Sequence, residues 1–286
     1  MTRLAYYPGC SLRSTARELD RSFRASAAAL GLALEEIPRW ECCGTTAAHT
    51  ASRLLAAALP ANELAKVPAD MGLNAIATPC AACFSRFVTT RHELREDEQL
   101  RREVEIVVGR PVPTDIAVLN LIDVYHDVVG LAALRAKVAR PLRGLKIAAY
   151  YGCLLTRPPA ATLAEDPEYP TRMDAVLGAL DAEPVAWSCK TDCCGASLAL
   201  CDRTVVIALA RKIVANARAC GAQAIATACP LCQLNLDTCQ ADIRASDQTW
   251  RSIPIFYLSQ LVGHAVGVPA RQLGWRKHVV AVPALP

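Results

Sequence analysis

The sequence predicts an α/β protein made of two pseudo-symmetric halves, each a small, mostly parallel sheet with flanking helices. Three observations carry that prediction: a cysteine pattern written twice, further sequence blocks that repeat with it, and short apolar runs alternating with helical stretches. Ten of the 14 cysteines make up the pattern. The first set is Cys10, the pair Cys42-Cys43 followed by Gly44, and Cys80-Ala-Ala-Cys83. The second is Cys153, the pair Cys193-Cys194 followed by Gly195, and Cys229-Pro-Leu-Cys232. The gaps are 31 and 39 residues before the double cysteine, and 36 and 34 after it. Around them, Leu4-Ala-Tyr-Tyr-Pro-Gly-Cys10 matches Ile147-Ala-Ala-Tyr-Tyr-Gly-Cys153. Trp40-Glu-Cys-Cys-Gly44 matches Trp187-Ser-Cys-Lys-Thr-Asp-Cys-Cys-Gly195 with a short insertion. Gly72-Leu-Asn-Ala-Ile-Ala-Thr-Pro-Cys80 matches Gly221-Ala-Gln-Ala-Ile-Ala-Thr-Ala-Cys229. Three blocks in one order argue for a duplication.

The elements repeat in the same order. Residues 4–7 and 146–151 are short apolar runs that end at Gly-Cys, which reads as a buried strand running into a loop. Residues 15–30 carry Leu19, Phe23, Ala27 and Leu30 at helical spacing, and Gly31 stops them. Residues 46–59 and 196–218 are Ala/Leu-rich and predict helices. Residues 75–78 and 224–227 predict strands, each delivering the chain to a Cys-x-x-Cys turn. Residues 91–115 form a charged connector, read as a solvated helix face. Ala139 to Gly144 is basic and carries Pro and Gly, which places the boundary between a first domain at 1–143 and a second at 144–286. Strands alternating with helices predict a Rossmann-like arrangement in each half. Ligands in such sheets gather beyond the carboxyl ends of the strands, where the Gly-Cys and Cys-x-x-Cys segments fall.

Composition narrows the function. The net charge is +4 and aromatics are 5%. The basic residues are scattered, so nucleic acid is not expected as a partner. The opening residues do not read as a signal peptide. No apolar run reaches the length of a membrane span. The nearest, Asn120 to Leu134, is interrupted by Asp123, His126 and Asp127. A soluble, cytoplasmic protein is the expectation. Thiols stay reduced there, which favours metal binding or redox chemistry over structural disulfides.

Thiolate is a soft donor that suits zinc, copper(I) and iron–sulfur clusters. A structural zinc site takes four ligands, and an ordinary cubane takes four cysteines. Each half offers five. Neighbouring side chains on extended backbone point in opposite directions. The two cysteines of each pair are therefore expected to serve different metal atoms, with the following glycine permitting a sharp turn or a close approach. A Cys-x-x-Cys turn brings two sulfurs toward one centre. Iron–sulfur binding is favoured over zinc or disulfide-exchange thiols.

This pattern resembles the B subunit of heterodisulfide reductase, a family built from two cysteine-rich domains named for their Cys-Cys-Gly motif. The tail shares the resemblance through Ile253-Pro-Ile-Phe-Tyr-Leu-Ser-Gln-Leu-Val-Gly-His-Ala-Val-Gly and Leu273-Gly-Trp-Arg-Lys-His278. The resemblance implies two non-cubane 4Fe-4S-type iron–sulfur clusters, each a 3Fe-4S and a 2Fe-2S unit sharing an iron. Cys10, Cys42, Cys43, Cys80 and Cys83 would hold one cluster. Cys153, Cys193, Cys194, Cys229 and Cys232 would hold the other. A disulfide would bind between them and take one electron from each. The chain carries no ferredoxin-type cysteine run and no Gly-x-Gly-x-x-Gly motif. The resemblance accordingly implies two partners in a heterodisulfide reductase-like complex, a ferredoxin-type C subunit with a flavin-bearing A subunit. The substrate expectation leans to bacterial sulfur oxidation with a lipoyl carrier protein. The alternatives are an electron-relay subunit in lactate, glycerol-3-phosphate or succinate oxidation, and a zinc-bound assembly module.

Residues outside the pattern receive plainer readings. Cys189, Cys201, Cys220 and Cys239 read as small apolar residues, with Cys189 placed close to the second set. His49, His126 and His264 are candidates for proton transfer but read first as surface or core histidines. Lys190 and Asp192 are expected to tune the second cluster or cap a helix, and Trp40 and Trp187 to shield the clusters. Arg13 and Arg157 are candidates to attract an anionic substrate.

Overall fold

The computed structural model describes residues 2–45 and 47–286. The first half builds a sheet from β1 (Thr2–Tyr6), β2 (Leu32–Glu36), β3 (Ala75–Ala77) and β4 (Ala117–Leu119), in the order β2-β1-β3-β4. The second builds β5 (Lys146–Tyr150), β6 (Glu183–Pro184), β7 (Ala224–Thr227) and β8 (Ile255–Tyr257), in the order β6-β5-β7-β8. Every pairing is parallel. Parallel strands need helical crossovers that cover the sheet, so their residues read as continuous apolar runs. Residues Ile147 to Tyr150 are buried without alternation, as that rule requires.

The predicted helices form, with boundaries shifted for identifiable reasons. The first runs from Arg17 to Ala29 and ends at Gly31, whose φ of +83° closes the turn. The helix predicted over 46–59 begins beyond Thr46, which lies outside the described residues. The chain forms a short turn at Ala48–Ala51, then a helix from Arg53 to Met71. It therefore continues through Pro60, which a sequence reading takes as a stop. Proline leaves the carbonyl four residues earlier without its donor, and Arg86 supplies one: its Nη2 donates to Ala56 O at 2.8 Å. The stretch 196–218 is two elements, a 3-10 turn (Ala196–Leu200) and a helix (Arg203–Ala219) whose N-terminus the Asp202 side chain caps. The charged connector is helical as well. The Ala81–Glu96 helix ends at Asp97, which caps a second helix, Glu98–Val108.

The halves are bound by exchange. Leu258–Ala265, the helix after β8, packs on Arg17–Ala29 of the first half. Ser22 and Ser259 hydroxyls meet there at 2.7 Å. Reciprocally, the segment after β4 packs on Arg172–Ala179 of the second half. That segment holds Leu121–Asp123, a π-helical stretch Val124–Gly130, and Leu131–Ala136. The cysteine-bearing helix Ala81–Glu96 also packs on Pro159–Thr162 in the loop after Cys153. One continuous apolar core runs through both sheets.

Asp123 is buried at this junction, where its Oδ2 accepts the Asn120 N–H and its Oδ1 accepts from Arg172. Burial outweighs those favourable contacts and pushes its carboxyl up from 3.8 to about 6. The folded chain thus holds this proton more tightly than the unfolded chain does. The stability it contributes is complete below the unfolded value and is lost as pH rises through about 6. Between pH 4 and pH 8 that loss amounts to about 3 kcal/mol. Urea titrations should show this slope in the native protein and its absence in Asp123→Asn.

Candidate metal centres

Each cysteine set is assembled from three segments at the carboxyl edge of one sheet. β1 and β5 deliver Cys10 and Cys153, and β3 and β7 deliver the two Cys-x-x-Cys turns at helix N-termini. The double cysteine lies on the loop beyond β2 or β6. A tyrosine ties that loop down in both halves. Tyr7 OH donates to Glu41 O at 2.7 Å, and Tyr150 OH donates to Asp192 O at 2.6 Å, each just before the pair. Trp40 packs edge-on against Tyr7, and Trp187 lies against Tyr150. The tryptophans therefore back the tyrosines that anchor the loops.

Within the sets the sulfurs pair. Cys42 Sγ lies 3.9 Å from Cys10 Sγ, while its neighbour Cys43 lies 3.2 Å from Cys83 Sγ. In the second half Cys193 is hydrogen-bonded to Cys153, and Cys194 Sγ lies 3.7 Å from Cys232 Sγ. Adjacent cysteines thus reach different partners across the set in both halves. Cys10, Cys42 and Cys193 are exposed and Cys153 is half-buried, whereas Cys43, Cys80, Cys83, Cys194, Cys229 and Cys232 are buried. Among the described residues no disulfide joins any of the 14 cysteines. Hydrogen bonds from Cys42 and Cys83 hold the Cys43 thiol far below its usual range, and one from Cys232 lowers Cys194. The bond from Cys153 brings Cys193 down to about 6. Thiolate, the form that binds metal, is thus favoured at the second cysteine of each pair, Cys43 and Cys194, whereas at the first the halves differ: Cys193 is lowered and Cys42 is raised.

The residues fit a sulfur-bridged metal group in two further respects. Gly9 and Gly152 sit against the inner sulfurs: a Cβ added there would lie 3.0 Å from Cys83 Sγ and 2.9 Å from Cys232 Sγ. Both glycines have positive φ. Thr78 and Thr227, two residues before Cys80 and Cys229, each carry a buried hydroxyl with no partner among the described residues. Orphan hydroxyls at matching positions are free to bond a guest. Among the described residues no three Cys, His, Asp or Glu side chains gather at a point that would suit a single metal ion.

The two sets lie close enough to share a neighbour. Tyr257, the buried last residue of β8, has its hydroxyl raised well above the usual phenol range, by burial first and then by Glu18, Cys229 and Cys80. Cys80 and Cys229 belong to different sets.

A buried ion pair props the approach to each double cysteine. Glu63 accepts the Glu41 N–H at 3.0 Å and Lys66 at 2.9 Å, while Lys66 donates to Arg39 O. In the second half Lys190 donates to Asp174 at 2.8 Å and to Pro170 O at 2.9 Å. Its own carbonyl receives the Tyr151 and Gly152 N–H groups just before Cys153.

The remaining sequence candidates fall elsewhere. Arg13 is engaged by Glu36 and Asp20, and Arg157 by the exposed Glu168. Asp192 pairs with Lys212 and caps nothing; Asp202 is the cap of that helix. His49 is exposed, His126 bonds Asp127, and His264 bonds Pro286 O. Cys189 and Cys239 are buried; Cys201 and Cys220 are exposed. The glycines after the double cysteines serve the turn and the packing of the next helix: a Cβ on Gly44 would meet Ala48 at 2.6 Å, and one on Gly195 would meet Val206 at 2.8 Å. Gly9 and Gly152 are the residues that approach sulfur. Their repeated position before Cys10 and Cys153 was the signal available for them.

The model of the CCG cysteine-rich domain matches twice, over residues 4–87 and 147–237. The chain belongs to this family. It is 31% identical over 279 residues to the 8-methylmenaquinol:fumarate reductase membrane anchor subunit of Wolinella succinogenes, covering 96% of both chains. It is 24% identical to the B subunit of the ferredoxin/F(420)H(2)-dependent CoB-CoM heterodisulfide reductase of Methanosarcina acetivorans, covering 98% of this chain and 94% of that one. Among solved structures, a hypothetical protein from Helicobacter pylori shares the fold with a TM-score of 0.74 at 11% identity. The match covers 99% of this chain and 52% of that one. No described helix of this CCG protein is long and apolar enough to cross a membrane.

Proposed function

We propose that the chain is the iron–sulfur catalytic subunit of a heterodisulfide reductase-like complex. It would interconvert a disulfide and two thiols between two non-cubane clusters. The observation that carries this reading is the matched sulfur pairing in two sets that share Tyr257. A disulfide takes two electrons, and two equivalent centres each supply one. Cys10, Cys42, Cys43, Cys80 and Cys83 hold the first centre, and Cys153, Cys193, Cys194, Cys229 and Cys232 the second. The outer thiols Cys10, Cys42 and Cys193 mark the edge open to a substrate. The protein's own part is to present thiolates, to leave room through Gly9 and Gly152, and to offer Thr78 and Thr227 as hydrogen-bond donors.

Ferredoxin-type and flavin-bearing partner subunits would exchange electrons with the chain, and a lipoyl carrier of sulfur oxidation is one disulfide source. The Wolinella relative favours a second reading, electron relay in a quinol- and fumarate-linked complex. An anaerobic assay separates the two. Reduced methyl viologen should be oxidised by lipoamide or by the coenzyme M–coenzyme B heterodisulfide in the presence of the chain. Activity with a naphthoquinone and none with either disulfide would favour relay. Gly152→Ala, which directs a methyl group at Cys232 Sγ, should lose the second centre's iron while the first keeps its own. Full iron in that variant would contradict the cradle.

A further inference from the structure

A cavity of about 190 Å³ lies between the halves. Its walls include Phe84, next to Cys83, and Leu155 and Thr156, on the turn after Cys153. The cavity thus abuts segments that carry a cysteine from each set. Its volume holds about six waters at roughly 30 Å³ each. Thr156 is 2% exposed and its hydroxyl has no partner among the described residues. The cavity has room for a water to meet this hydroxyl.

Asp123 lies on the same wall, and the fold supplies an internal control for it. Ile76 pairs with Val118 as Ile225 pairs with Ile255, which makes Asp123 and Gln260 equivalent positions. Both accept the N–H of the residue that opens their helix, at 2.9 Å in each case. An uncharged amide therefore suffices for the cap. The first half nevertheless buries a carboxyl there, against the cost that raises its titration to about 6. The corresponding cavity beside Tyr257 is smaller, about 130 Å³; it also lies between the halves, with Glu18 of the first half on one side and Asp237, Lys277 and Val279 of the second on the other. There Val279 and Val280 donate their N–H groups to Asp237.

Several charged groups surround Asp123. Arg172 lies 2.7 Å away and also binds Asp127, which holds His126. Glu165 and Asp166 line the cavity from the exposed loop. Tyr151, on the wall, is bonded to Asp174, the partner of Lys190. The Ala81–Glu96 helix brings Arg91, which is engaged by Ile116 O. The Leu258–Ala265 helix carries only His264, bonded to Pro286 O.

We propose that this cavity is a proton inlet for the redox centres and that Asp123 is its proton-carrying residue, acting through cavity water. The proposal rests on the reading of the ten cysteines as two redox centres. Cleaving one disulfide consumes two electrons, from a one-electron donor used twice, and two protons, and it yields two thiols. The carboxyl proton of Asp123 passes through cavity water to one thiolate sulfur, and after reprotonation of the carboxylate a second proton follows it to the other. The carboxylate left behind is reprotonated from solvent at the mouth lined by Glu165 and Asp166. Thiol oxidation runs the same path backwards.

The test uses the full chain, loaded anaerobically with iron and sulfide, with reduced methyl viologen as donor and lipoamide as the disulfide probe. In the native protein the rate should fall as pH rises through about 6, because the acid form is required. Asp123→Asn keeps an oxygen for the cap. It should keep its iron and both EPR signals, lose the pH step, and run about tenfold or more slower at pH 5.5. Asp123→Glu should restore the step. Infrared difference spectra supply a second readout: a carboxyl band appearing below about pH 6 in the native protein and missing in Asp123→Asn. A native pH profile in Asp123→Asn, or a carboxyl band unchanged by the substitution, overturns the proposal. Failure of the underlying reading is distinguishable: the native protein would then take up no iron, or would take up iron without turning over lipoamide, while the infrared carboxyl band still tests Asp123.

Discussion

Cys194→Ser should remove the EPR signal of the second centre and about half of the bound iron, and leave the first centre's signal unchanged. The expectation follows from where this sulfur sits. Cys194 is 3% exposed and its Sγ lies 3.7 Å from that of Cys232. Asn235 fixes the turn by donating to Cys194 O at 3.2 Å and to Ala196 O at 3.0 Å. A serine there replaces a soft, readily ionised donor with a hard one that stays protonated at neutral pH. No relaxation of so tightly held a loop restores a thiolate. The first centre is carried by a separate sheet and keeps all five of its sulfurs. Cys43→Ser should produce the mirror result. Spectra unchanged in both variants would contradict the ligand assignment.

Lys190→Met should cost about 3–5 kcal/mol of stability, the range for removing one partner of a buried ion pair. The Lys190 side chain is 2% exposed and that of Asp174 is 18% exposed. Lys190 Nζ also satisfies Pro170 O and lies 4.3 Å from the centre of the Tyr169 ring. Methionine fills most of the same volume, so the loss is chiefly that of an uncompensated Asp174 carboxylate. Combining it with Asp174→Leu should recover much of the stability, because an apolar pair leaves no stranded charge. Urea unfolding of the two single variants and the double variant measures this directly. A Lys190→Met loss below about 1 kcal/mol would mean that the pair is solvated and is not a prop for the Cys153 loop.

The sequence made the cysteines legible because their chemistry is local. Soft donors at repeated spacing announce themselves, and period and turn signals place them at strand ends. The edge strand β6 was not legible. Glu183 and Pro184 carry no apolar run, and they pair only because β5 offers them an edge. Helix length failed at Pro60, where Arg86 of another helix meets the freed carbonyl. The exchange of helices between the halves depends on surfaces that come together only in the folded chain. For the same reason Lys190 read as a flanking charge, not a buried strut. Asp123 read only as an interruption of an apolar run; its burial and its contrast with Gln260 require the register of two sheets.

The central claim is that ten cysteines hold two iron–sulfur centres, and metal analysis of anaerobically purified protein tests it most directly. Iron and acid-labile sulfide should appear together, several of each per chain, with zinc only in traces. Zinc near one or two atoms per chain with negligible iron and sulfide would contradict it.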